Sequence, residues 1–236
     1  MLQASGFVPY GPDHRGVLLG TALATVGLLI VGPRLRTTDD RWARRGVALL
    51  LLGNEAVAWL IAASQGVVRV PLQLCDLALF LSVWALLSLK RFPAEVAYFW
   101  GLAGSLQAVV TPDLQEPFPT YWWVKFFVGH CGIVLGVIYL AVTGRVQPTL
   151  RSIWRVWVLT LLYAAGVGFV NWRFGANFGY LAHKPAHPSL LDPFGPWPFY
   201  IVGMAVVALL SFYLYYAPFA VARWLSRRRP VSGGRS

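Results

Sequence analysis

The sequence predicts an all-α fold, a polytopic membrane protein of seven transmembrane helices. Its composition points there first: 57% of the 236 residues are hydrophobic and 12% are charged, against about a quarter charged in an ordinary soluble domain. The spacing of helix breakers is the second observation. A bilayer core about 30 Å thick needs about 20 apolar residues in a helix, and seven stretches of roughly that length lie between prolines and charges. The third is that the basic residues gather in alternate connections rather than along one face.

The first stretch, 16–33, follows an N-terminus (MLQASGFVPYGPDHRG) that lacks the basic start and short apolar core of a signal peptide, so it is expected to remain as a helix ending at Pro33. The second, 46–64, follows an arginine cluster, and the third, 72–89, begins after Pro71. Lys90, Arg91 and Phe92 form a short link to the fourth, 94–111, which Pro112 closes. Pro117 and Pro119 precede the fifth, 122–143, and Pro148 separates it from the sixth, 153–172. The seventh, 197–222, follows a cluster of prolines from Pro185 to Pro198, and residues 223–236 form a basic tail. No internal repeat and no second domain are visible, so residues 1–236 read as a single transmembrane domain.

Charge sets the expected orientation. Arg34, Arg36, Arg41, Arg44, Arg45, Lys90, Arg91, Arg145, Arg151, Arg155, Arg223, Arg227, Arg228, Arg229 and Arg235 fall on one side, fifteen of the twenty basic residues. Arg15, Arg69, Lys125, Arg173 and Lys184 fall on the other. The richer side is placed in the cytoplasm, with the N-terminus outside and the C-terminus inside. A net charge of +11 in a soluble chain would suggest nucleic acid, but no basic stripe or recognition motif accompanies it, so nucleic acid is not an expected partner. The basic residues read as topology signals and contacts for anionic lipid heads, which makes membrane phospholipid the expected partner. Cys75 and Cys131 lie inside apolar runs and form no disulfide framework.

Polar residues inside a membrane span are costly and tend to line a cavity or pair with one another. With the helices placed as above, Gln73, Cys75 and Asp76 start helix three near the outer face. Lys125 and His130 lie in the outer half of helix five. Gln107 ends helix four, Asn171 ends helix six, and Asn54 with Glu55 sit near the middle of helix two. The long connection 173–196 (RFGANFGYLAHKPAHPSLLDPFGP), with Asn177 and Lys184, can lie over this layer. A polar pocket opening to the outer leaflet is expected, with Gln73, Asp76, Glu55, Asn54, Gln107, Lys125, Asn171, Asn177 and Lys184 as its candidate substrate contacts.

Each residue also has a structural role open to it. Asp76 and Gln73 suit a helix cap after Pro71, and Glu55 with Lys125 suits an ion pair. Asn171 and Gln107 suit helix–helix hydrogen bonding. Trp122, Trp123, Trp172 and Trp197 suit an outer aromatic belt. Cys75 could be a small apolar filler. The chemical alternative is a thiol nucleophile: Cys75 at a helix N-terminus, with His130 taking its proton. Asp76 beside it opposes a negative sulfur unless Lys125 or Arg173 neutralises the carboxylate. In the loop, His183, His187, Ser189 and Asp192 make a weak metal or hydrolase signal, because Pro185 and Pro188 forbid the helix that H-x3-H ligation would use. No metal and no cofactor are expected.

Four stretches carry a family resemblance: VPLQLCDLALF, YFWGLAGSLQAVVTPDL, FFVGHCGIVLGVIYL and GANFGYLAHKPAHPSLLDPFGPWPFYI. Together they resemble the bacterial YwaF-type integral membrane proteins over about residues 15–220. That family is similar, more distantly, to a eukaryotic transmembrane acyltransferase that moves an acyl chain between phospholipids through a membrane cysteine and a later histidine. More distantly still it is similar to membrane hydrolases that use a threonine where this chain has Cys75. The resemblance implies a multi-pass protein of a bacterial plasma membrane, lipid acyl transfer or ester hydrolysis, and catalytic roles for Cys75 and His130. Without it, the same polar pocket also suits a transporter or receptor, with Glu55, Asp76 and Lys125 serving proton coupling.

Overall fold

The computed structural model describes residues 6–185 and 191–228. Among these the only regular secondary structure is helix, with no strand. Eight α-helices follow one another: α1 (Pro12–Val31), α2 (Arg41–Ser64), α3 (Leu74–Ser88), α4 (Arg91–Trp100), α5 (Leu106–Val110), α6 (Tyr121–Val142), α7 (Leu150–Phe174) and α8 (Phe199–Arg228). A π-helical turn, Gly101–Ser105, joins α4 to α5 with helical backbone at both junctions. The three pieces therefore form one rod over 91–110.

Five of these helical units are long and apolar enough to cross a membrane: Pro12–Thr37, Arg41–Ser64, Tyr121–Val142, Leu150–Phe174 and Phe199–Arg228. The expected count of seven is reduced to five by this measure, for a physical reason. Helix α3 has 15 residues, about 22 Å at 1.5 Å each, and falls short of a core about 30 Å thick. It starts only after Pro71 and stops where Leu89 turns into the left-handed region at φ 53°. The rod over 91–110 is about 30 Å long in all, but it opens on Arg91 and Glu95, and its α-helical parts of 10 and 5 residues are each too short to count alone.

Several ends also lie outside the expected bounds. Helix α1 begins with Pro12 in its first turn, where the missing N–H costs nothing. Helix α2 begins at Arg41, so Arg41, Arg44 and Arg45 belong to a helix and not to a connection. Helix α8 continues to Arg228, about 45 Å in all, longer than a bilayer core.

The packing has a centre and flanks. The centre is α2, α3, the 91–110 rod and α6, where Leu51, Leu86, Phe99, Ile133, Val137 and Leu140 are fully buried. Phe99 packs on Phe212 of α8, ring centroids 4.9 Å apart. On one flank α1 packs on α6, with Gly32 seated against Val142. On the other, α7 and α8 pair with each other, and Trp157 donates to the Ala205 carbonyl. The outer surfaces of these flanks are leucine, valine and aromatic side chains such as Leu19, Leu23, Leu162, Phe169, Val202 and Leu214. An exposed apolar belt on this scale is what lipid contact requires.

Two charge clusters fasten the end where most of the arginines lie. Asp40 accepts from Arg44 at 3.0 Å, pairs with Arg145 at 2.7 Å, and accepts from the Tyr139 hydroxyl. Arg44 also donates to the Leu86 carbonyl at the end of α3. Glu95, fully buried, pairs with Arg91 at 2.7 Å and with Arg155 of α7. Arginines that look like pure topology signals in the sequence thus join α2, α3 and α6 at one place and the 91–110 rod to α7 at another.

Candidate functional site

At the opposite end, the helices surround two adjoining cavities. The inner one, about 20 Å³, has room for about one water molecule. Glu55 of α2, Cys75, Asp76 and Leu79 of α3, and Lys125, Gly129, His130 and Ile133 of α6 line it. The outer one, about 320 Å³, is lined by Arg69, Leu114, Glu116, Trp122, Lys125, Phe126 and His130. Lys125 and His130 belong to both walls.

Local structure places each group. Pro71 and the extended Gln73 let α3 start at Leu74, so Cys75 and Asp76 fall in its first turn. The Asp76 carboxylate accepts from the Gln73 backbone N–H at 3.2 Å, the cap that a carboxylate at this position can supply. Thr120 caps α6 by accepting from the Trp123 N–H. Lys125 and His130 follow about one and a half and nearly three turns further on. His130 donates from Nδ1 to the Phe126 carbonyl at 2.7 Å, the only polarity that contact allows, since a carbonyl cannot donate. In the neutral ring this leaves Nε2 as an acceptor, oriented by the Nδ1 bond and by the Phe126 ring at 4.2 Å. Gly129 lets Asn54 approach, and Asn54 donates to the Lys125 carbonyl at 3.0 Å.

The charges are coupled. Lys125 Nζ lies 2.8 Å from Glu55 Oε2, and Arg69 Nη2 lies 4.0 Å from Glu55 Oε1. The first contact is one of charge without hydrogen-bond geometry, because Oε2 is buried and accepts no hydrogen bond. Arg69 also stacks over the Trp122 ring at 5.3 Å.

Five candidate residues are therefore brought together: Glu55, Cys75, Asp76, Lys125 and His130. The other six line neither cavity. Asn54 ties α2 to α6, as above. Gln107 donates to Thr111 within one turn. Gln73 Oε1 accepts from the Gly179 N–H at 2.8 Å, and Asn171 closes a pair of bonds with the Phe178 backbone, 2.9 Å each. Asn177 Oδ1 accepts from the Ala182 and His183 N–H groups. Lys184 donates to the Asp192 carbonyl and sits over the Tyr200 ring at 5.6 Å. These amides hold the connection after α7 over the ends of α3 and α7. Tyr180 fastens the same connection by donating to Asp113 at 2.6 Å, and burial together with that bond pushes its phenol up from the usual value. His187 and Ser189 lie outside the described residues, and His183 is engaged by Asn177.

Arg69 and Trp122 are site residues that the sequence placed only as outer charge and aromatic belt, and Glu116, also in the outer wall, carries no sequence signal. The one sequence signal for the first two is proximity to the ends of α2 and α6. Nothing in the sequence marks His14 as a structural residue. It is fully buried, accepts from the Tyr10 N–H at 2.9 Å and donates to the Val109 carbonyl at 2.8 Å.

Helices of membrane-crossing length around a polar cavity define an integral membrane protein. The chain belongs to the TMEM164 family, whose model matches residues 9–216 and so includes every residue lining both cavities. It is 26% identical over 218 residues to an uncharacterized protein of Treponema pallidum (strain Nichols), covering 90% of this chain and 91% of that one. No solved structure matches. The family found is thus TMEM164, where the four sequence motifs had suggested a YwaF-type protein, and the relative's name carries no activity.

Proposed function

We propose that the protein is an enzyme of membrane-lipid acyl esters, a transferase or hydrolase with Cys75 as nucleophile and His130 as general base. The YwaF-type and acyltransferase resemblances belong to this reading. So does a bacterial plasma-membrane setting in which the N-terminus is outside and the site faces the outer leaflet. The observation that carries the reading is that Cys75 and His130 line the same cavity, with His130 Nδ1 spent on a carbonyl so that Nε2 is free to take a proton.

The chemistry balances in two steps. His130 Nε2 takes the Cys75 proton as sulfur attacks the ester carbonyl; the carbon–oxygen bond breaks, and the imidazolium returns that proton to the departing lipid alcohol. A second alcohol or water then loses its proton to Nε2 and attacks the thioester carbonyl; the carbon–sulfur bond breaks, and the imidazolium returns that proton to the Cys75 sulfur. Glu55, Asp76, Asn54, Gln73, Gln107, Asn171, Asn177 and Lys184 hold the pocket and the overlying connection around the bound phospholipid.

The test is acyl exchange between phospholipids in reconstituted vesicles, comparing the unaltered protein with Cys75→Ala and His130→Ala. Both variants are expected to lose at least about a hundredfold in rate. Turnover by Cys75→Ala equal to that of the parent removes the nucleophile. The presence of Glu55 and Asp76 in one small cavity favours a second reading, proton-coupled transport of a small solute. Solute uptake by vesicles that survives Cys75→Ala and is abolished by Glu55→Gln would favour it.

A further inference from the structure

We infer that Lys125 is a gate between the two cavities, opened when an anion in the outer cavity draws its ammonium away from Glu55. The inference rests on the acyl-ester reading only for the identity of the anion, the phosphate of a lipid headgroup.

Three observations carry it. The inner cavity, about 20 Å³, holds about one water molecule, so no ester reaches Cys75 until a wall moves. The wall shared with the outer cavity of about 320 Å³ is made by Lys125 and His130. Of these two, His130 is fixed by its bond to Phe126 and by ring stacking. The ammonium end of Lys125 is held by one carboxylate oxygen, at 2.8 Å and without hydrogen-bond geometry.

The same geometry makes the motion affordable. Glu55 is nearly fully buried, and a buried carboxylate that loses its partner is strongly destabilised. Arg69, 4.0 Å from the other oxygen of Glu55, remains as its partner when Lys125 leaves. Lysine suits the part, since four rotatable carbons carry a compact charge that an arginine fork would not release so readily. A neutral ester would lack the charge that moves Lys125, so the gate also selects for substrates that carry an anion.

The experiment follows Cys75 with a water-soluble maleimide in purified protein carrying Cys131→Ser, leaving one thiol. Adding Lys125→Met, or Glu55→Gln, is expected to raise the labelling rate about tenfold or more, because either change removes the tether. In the chain with Lys125 and Glu55 intact, glycerol 3-phosphate is expected to raise the rate and glycerol is not. The inference is overturned if both variants label at the parent rate, or if glycerol 3-phosphate has no more effect than glycerol. The second arm needs no folded variant. Labelling needs no turnover, so a gated chain that transfers no acyl group loses the acyl-ester reading alone. A chain that transfers acyl groups while Lys125 leaves labelling untouched loses the gate alone.

Discussion

Replacing Glu55 leaves Lys125 and Arg69 with Asp76 as the one carboxylate remaining in the inner cavity, whereas replacing Lys125 leaves Glu55 still facing Arg69. The distances of 2.8 Å to Lys125 and 4.0 Å to Arg69 correspond to gross attractions of about 6 and about 4 kcal/mol at an effective dielectric constant of about 20. Desolvation offsets most of this, and breaking a buried pair by removing one partner costs about 3–5 kcal/mol net. The Arg69 side chain is 31% exposed, so water screens part of its share. Glu55→Gln is therefore expected to destabilise the protein by about 3–4 kcal/mol and Lys125→Met by about half as much. The double variant should cost no more than about 2 kcal/mol, giving a coupling of at least about 2 kcal/mol across the cycle. Unfolding in dodecyl maltoside micelles titrated with dodecyl sulfate, followed by tryptophan fluorescence, measures all four. Equal costs for the two single variants, or costs that add to within about 0.5 kcal/mol, would refute the reasoning.

Three further outcomes are expected. Burial pushes the Asp40 carboxyl up, but hydrogen bonds from Tyr139 and Arg44 and the charge of Arg145 outweigh it and hold the group below the usual range. Its contribution is thus present above the unfolded value near pH 4 and disappears as pH falls through the lower folded value; acid unfolding curves of the parent and Asp40→Asn should converge there. His14→Phe leaves the Tyr10 N–H and the Val109 carbonyl without partners and should cost about 2–4 kcal/mol, read as a lowered melting temperature in detergent. Gly32→Ala puts a methyl 2.2 Å from Val142 Cγ2; it should cost about 1–3 kcal/mol, and Val142→Ala added to it should return most of that.

Depth along the membrane normal was legible in the sequence, and rotation about each helix was not. Prolines and charges locate each helical stretch to within a few residues, and depth alone put Glu55, Cys75, Asp76, Lys125 and His130 in one layer. Facing was hidden because lipid and protein interior are equally apolar, so Leu51, fully buried, and Leu60, which faces lipid, look alike in sequence. For the same reason Asn171 and Gln73 looked like pocket walls when their amides hold the connection after α7. Arg44 read as a topology charge, yet it is buried between Asp40 and the end of α3. His14 is inconspicuous in sequence because it lies in a polar N-terminal run and its partner, the Val109 carbonyl, is 95 residues away. The limit on α3 came from its left-handed end at Leu89, a conformation that no residue type there announces.

The π turn at Gly101–Ser105 works as a phase setting. The Leu106 N–H reaches back to Gly101, so this turn uses one residue more than an α turn, and one residue is about 100° of helical rotation. Everything beyond it, including the carbonyl that Val109 offers to His14, points where it does because of that extra residue. Deleting any one residue from 101–105 would leave the rod as apolar as before and long enough for its place. It would also swing α5 away from α1 and rotate the start of the loop that carries Asp113 and Glu116. The length of chain between Pro93 and Pro112 is thus a dial reading as much as a distance.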